Sequence, residues 1–193
     1  MKKIITSLLL FILVSMQSQT TTIAIEDYSY YNTHPMPSGT IYAKDINHVL
    51  DKYVGTWQGS FDNKTMTIFA TKETQTYQFA GRVYMRDYIA MRYVIRNATT
   101  NAILADTTNE PLDSTYIIEG LFFDSNGWYN LLYTGLDADC GQQGELYITT
   151  YNNDLNMKMV YAIDDLLLDG ESCPNGRSAD ILRVTETMYF TKQ

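Results

Sequence analysis

The chain has 193 residues, of which 45% are hydrophobic, 13% aromatic and 19% charged, and its formal net charge is −8. That apolar content excludes a disordered chain, and the length suits one domain with its own core. The acidic balance argues against nucleic acid as a partner, because phosphate binding needs a basic patch; it reads more simply as solubility.

Met1-Lys2-Lys3 supplies a short positive start, and the run from Ile4 to Val14 is apolar except for Thr6 and Ser7. Small and polar residues follow at Ser15, Gln17 and Ser18, which is the layout of a secretory signal peptide over residues 1–18. The run is shorter than the roughly 20 residues a membrane helix needs, and no Lys/Arg cluster stops transfer, so cleavage near Ser18 is expected rather than anchoring. No cysteine lies near the cut to carry a lipid. The expected product is soluble, does not span a membrane, and is periplasmic or extracellular.

Residues 19–40 show no sustained period and contain Pro35, Pro37 and Gly39, so an extended leader is expected there. The domain proper is placed at 41–193. One short helix is predicted, capped by Asp45, with Ile46, Val49, Leu50 and Tyr53 on one face and ending before Gly55. From there the period is two. Val83 to Arg96 alternates Met85, Ile89, Met91, Tyr93 and Ile95 against Tyr84, Arg86, Arg92 and Arg96, one face buried and one wet. Leu155–Tyr161 and Leu182–Phe190 alternate likewise, and further strands are predicted at 54–61, 64–71, 75–80, 101–106, 115–123, 128–134 and 145–151. Turn signals such as Asp62-Asn63 and Asn152-Asn153-Asp154 separate them. The predicted fold is all-β, a single antiparallel meander barrel of about eight to ten strands with one short N-terminal helix; a sandwich is the alternative. Closure favours the barrel, because it leaves no exposed edges.

The helix running straight into Tyr53-Val54-Gly55-Thr56-Trp57-Gln58-Gly59 resembles the Gly-x-Trp opening of the lipocalins and related calycin barrels. The resemblance implies that Gly55 lets the chain turn into the first strand and that Trp57 plugs one barrel end. Lipocalins also place a basic residue from the last strand, or just after it, across that Trp. Arg183 is the candidate, although alternation sets it on the face opposite Leu182, Val184 and Met188. Most of the mature chain, from Tyr42-Ala43-Lys44-Asp45-Ile46-Asn47 to the closing Thr191-Lys192-Gln193, is similar to short exported proteins of unknown function from flavobacteria and their relatives. That resemblance implies a lipocalin-like barrel and no activity.

Two cysteines, Cys140 and Cys173, lie in turn-like segments of a chain expected in an oxidising compartment, and a disulfide between them is predicted. The alternative, thiol metal ligands, lacks nearby His or further Cys. His34 and His48 belong to no triad, nucleophile elbow or zinc motif. Asp87 is a charge on an otherwise apolar strand face, either an acid/base carboxylate or a structural one. Asp137, Asp139, Asp164, Asp165, Asp169 and Glu171 form acidic loops whose spacing fails the calcium-loop template, so solvated turns are expected. Sequons at Asn63 and Asn97 matter only in a glycosylating host. The strand tyrosines fit a half-buried pleated surface or an aromatic pocket. No catalytic residue, metal or cofactor is predicted. The expected function is a non-enzymatic binding module for a small apolar or amphipathic ligand. The alternatives are a structural or interaction protein of the cell envelope with a side-chain-filled barrel, and an exported hydrolase.

Overall fold

Period-two alternation becomes strand along most of the chain in the computed structural model, which describes residues 20–164, 171, 173–176, 178 and 181–193. The strands are β1 (Thr20–Ala24), β2 (Thr40–Lys44), β3 (Gly55–Phe61), β4 (Lys64–Phe79), β5 (Arg82–Asn97), β6 (Ile103–Asp106), β7 (Ile118–Phe123), β8 (Tyr129–Thr134), β9 (Gln143–Tyr151), β10 (Asn156–Ile163) and β11 (Thr187–Lys192). Eight of them form a closed antiparallel ring in the order β3-β4-β5-β7-β8-β9-β10-β11, with β11 returning to pair with β3. β4 and β5 pair along their whole length, from Lys64↔Asn97 to Phe79↔Arg82. The other edge of β5 is shared in turn by β2 at Tyr84–Arg86, β7 at Ala90 and Met91, and β6 from Val94.

Short turns are set by residues that tolerate positive φ: Asp62 (45°) and Asn63 (57°) between β3 and β4, and Asn152 (54°), Asn153 (53°) and Asp154 (62°) between β9 and β10. The inward row fills the ring. Trp57, Tyr93, Tyr129, Tyr133, Tyr161 and Phe190 are all at most 1% exposed and belong to one apolar cluster with the Met and Ile side chains between them. Tyr129 packs over Gly120, where an added Cβ would fall 2.1 Å from the tyrosine oxygen, so only glycine fits there. Each buried ring removes about 150–250 Å² from water, roughly 4–6 kcal/mol of transfer free energy before entropy is counted.

Four expectations are corrected. The helix at Asp45–Tyr53 is a looped segment ending in a single 3₁₀ turn, Asp51–Tyr53. His48 takes a left-handed φ of 57°, which no helix accommodates, and Asp45 is not a cap, since it turns inward. Ile46 is 48% exposed, whereas Leu50 and Tyr53 are fully buried. The leader is not simply extended: β1 pairs in parallel with β2 and is followed by a 3₁₀ segment, Ile25–Asn32. Ile23, Ile41 and Ala43 build a small second core there, packed by Tyr28, Met36 and Tyr84. Strands 64–71 and 75–80 are one strand, because every residue between them stays in register with β5. The final strand starts at Thr187 rather than Leu182; Thr185, at φ 61°, breaks the extended backbone. The expected signal peptide, residues 1–18, lies outside the described residues.

Candidate functional site

Gly55 opens β3 with φ +129°, a conformation that disfavours side chains, and an added Cβ would lie 3.0 Å from the Lys192 side chain. Two residues on, Trp57 points inward and is fully buried; its indole N–H donates to the Tyr53 carbonyl at 2.7 Å. Lys192 of β11 lies across the indole, its ammonium 5.1 Å from the ring centre and donating to the Lys52 carbonyl at 3.2 Å. Sequence reasoning put forward Arg183 for that position and missed Lys192. The signal was present, because Lys192 shares parity with the inward residues Met188 and Phe190. Arg183 instead sits at the opposite end of the ring and pairs with Asp62 and Glu186. This holds residues 181–186 against the β3–β4 turn, with Leu182 buried in the core.

At the Trp57 end, Asp87 is 8% exposed and accepts three hydrogen bonds: from the Tyr42 hydroxyl at 2.8 Å, the Thr74 hydroxyl at 2.8 Å and the Asp45 N–H at 2.9 Å. It therefore ties β2, β4 and β5 to the looped segment and pairs with neither Arg86 nor Arg92. Asp45 in turn accepts from the Leu50 N–H and from Lys72 at 3.1 Å. Lys72 also pairs with Asp51, and its ammonium holds the Asp51 carboxyl below the usual range. His48 stands exposed 3.1 Å from Asp51. Among the described residues Asp45, His48 and Asp51 come close enough to hold a metal ion, and the Lys72 ammonium already pairs with both carboxylates there.

At the opposite end, Cys140 and Cys173 are disulfide-bonded with their Cα atoms 5.5 Å apart, as predicted. Cys140 ends a 3₁₀ turn, Ala138–Cys140, and the bridge draws the segment around Cys173 onto that turn, where the Ser178 N–H donates to the Cys140 carbonyl at 2.9 Å. Beside it opens a cleft of about 400 Å³ lined by Thr115, Tyr116, Leu136, Asp137, Asp139 and Gln143. Asp165 and Asp169 lie outside the described residues. A second groove, about 270 Å³, lies on the outer wall at Trp128, Tyr147 and Val160.

The interior is rich in buried tyrosine. Tyr53 stacks on Tyr129 with ring centres 5.6 Å apart, and Tyr133 meets Tyr161 edge-on at 5.3 Å. Burial pushes the Tyr93 hydroxyl up to about 12 and those of Tyr53 and Tyr129 higher still. No helix among the described residues is long and apolar enough to cross a membrane.

No curated protein and no solved structure matches the chain. Residues 1–161 match a family of unknown function, DUF6705, which takes in the leader, the Gly55–Trp57 opening and most of the ring. By that match, covering well over half of its length, the chain belongs to the DUF6705 family.

Proposed function

We propose that this protein is an exported, non-enzymatic barrel of lipocalin-like design that works through its outer surface, its interior being occupied by its own side chains. The observation that carries this reading is the filled ring: large aromatic residues from all around it are at most 1% exposed. The looped segment carrying Leu50 and Tyr53 lies across one end, and Leu182 packs in at the other. Small barrels either fill with side chains or hold one ligand, and this packing favours the first. The lipocalin comparison draws support from the eight-strand meander, from the glycine at φ +129° and from Lys192 across Trp57. Export draws support from the Cys140–Cys173 bridge, which suits an oxidising compartment. A structural role for Asp87 is favoured by its three donors, which leaves a hydrolase without the carboxylate that the sequence put forward.

Titration of the purified mature protein with palmitate and with 1-anilinonaphthalene-8-sulfonate tests this. No saturable uptake is expected. Stoichiometric binding of either probe would restore the reading of an apolar carrier with its ligand between the strands. Amino-terminal sequencing of protein secreted by a bacterial host should begin near Gln19.

A further inference from the structure

The groove on the outer wall combines two features seldom left together on a surface. Trp128 follows the β7–β8 turn, which is fixed by Asp124: its carboxylate accepts the N–H groups of Asn126 at 2.8 Å and of Trp128 at 2.9 Å, and its own N–H donates to the Trp128 carbonyl at 2.9 Å. Tyr147 on β9 stands opposite Val160 on β10, both pointing outward, and its hydroxyl donates to Glu145. Trp128, Tyr147 and Val160 thus form an apolar floor, with Asp124 and Asn126 at its edge. Asp124 lines the groove and Glu145 holds the Tyr147 hydroxyl, so two carboxylates border it, while Lys158, two residues from Val160 on the same face of β10, turns its ammonium onto Tyr151. Tyr147 has its hydroxyl pushed up to about 12, first by the hydrogen bond to Glu145, then by burial and by the charges of Glu145, Asp124 and Asp164. Elsewhere the protein lays its own ammonium groups over rings, Lys192 over Trp57 and Lys158 over Tyr151. Among the described residues, neither Trp128 nor Tyr147 carries such a group.

We propose that the Trp128–Tyr147 groove binds a small organic ammonium ion, the aromatic faces meeting its alkylated head and the carboxylates of Asp124 and Glu145 supplying the counter-charge. An aromatic wall attracts a cation through its ring quadrupole, and the attraction grows as water is excluded. A neutral guest would leave both carboxylates uncompensated, and an anion would be repelled. The groove's volume of about 270 Å³ suits a head group of choline size. The proposal rests on the outer-surface reading given above, and names the class of ligand for it.

The test is a titration of the whole mature protein with choline, followed by the two tryptophan indole N–H signals in a ¹H–¹⁵N spectrum. Choline should shift the Trp128 signal saturably and leave that of buried Trp57 in place. The neutral isostere 3,3-dimethylbutan-1-ol should bind about five- to thirtyfold more weakly, in line with a cation–π gain of about 1–2 kcal/mol. Glu145→Gln, which keeps an acceptor for the Tyr147 hydroxyl, should weaken choline several-fold, and Tyr147→Leu should remove the saturation. Equal affinity for the isostere, or a Trp128 shift that never saturates, overturns the proposal while leaving the filled interior untouched. A Trp57 signal that moves with choline would overturn both the groove and the outer-surface reading. If Tyr147→Leu fails to fold, the comparison of choline with its isostere on the unaltered protein still decides.

Discussion

Trp57 is the largest fully buried side chain, and its only polar atom is already paired with the Tyr53 carbonyl. Trp57→Ala should therefore cost about 3–5 kcal/mol, the transfer term plus the cavity left behind, read as a fall in the urea midpoint. A midpoint that hardly moves would mean that the ring is not core. The buried tyrosines make a second prediction, at alkaline pH. The hydroxyls of Tyr53, Tyr93 and Tyr129 are all raised above the ordinary value of 10 by burial. A group whose folded pKa exceeds its unfolded one contributes stability that is full below pH 10 and is lost as the pH climbs through the folded value. Absorbance at 295 nm should accordingly rise in more than one stage. The buried set should ionise only above about pH 12, together with the loss of near-UV circular dichroism. A single smooth titration at pH 10 would contradict the burial.

At the scale of elements, the looped segment between β2 and β3 acts as a lid over one barrel end, held by carboxylates rather than by helix hydrogen bonds. Asp45 and Asp87 are both buried, and Lys72 supplies the cation that compensates Asp45. Lys72→Met should leave that carboxylate buried without its counter-charge and cost about 2 kcal/mol or more, discounted because Lys72 itself is partly exposed. Hydrogen exchange should place the loss at Leu50 and Tyr53 before it reaches the strands. Uniform weakening of the whole ring would show that the segment is not a separable lid. The same segment explains why a helical period at Ile46, Val49, Leu50 and Tyr53 misled. Two of those residues are buried for tertiary reasons, as ends of a plug, and three-to-four spacing over so few positions does not distinguish a turn of helix from a bent loop.

For the whole molecule, the ring of eight strands and the disulfide are separate sources of stability. The ring closes through backbone pairing from β3 round to β11. The bridge closes a loop of 33 positions at the rim opposite Trp57. Constraining an unfolded loop of that length is worth roughly 3–4 kcal/mol in the chain-entropy view. Reduction should lower the melting temperature and raise hydrogen exchange around Asp137–Gln143 while far-UV circular dichroism at 25 °C stays that of a β protein. Loss of all β signal on reduction would show that the ring depends on the bridge.

The sequence by itself determined the strand pattern, because an inward row and an outward row must alternate wherever one face meets a core; the inward place of Trp57 was implied by the lipocalin resemblance. It determined the turns at Asp62-Asn63 and Asn152-Asn153-Asp154, because few residues accept positive φ. It indicated the disulfide, since two cysteines in a chain expected in an oxidising compartment have one intramolecular partner each. Alternation marks Lys192 as inward, but only the tertiary structure decided that it lies across Trp57, which it reaches through the β11–β3 pairing, 135 positions away in the chain. It also decided that Asp87 is a clamp, since its three donors come from β2, β4 and the loop beyond β2. Whether the barrel is open or filled was likewise beyond the sequence: alternation says which side chains point inward, and only the closure of the ring sets the volume they must share.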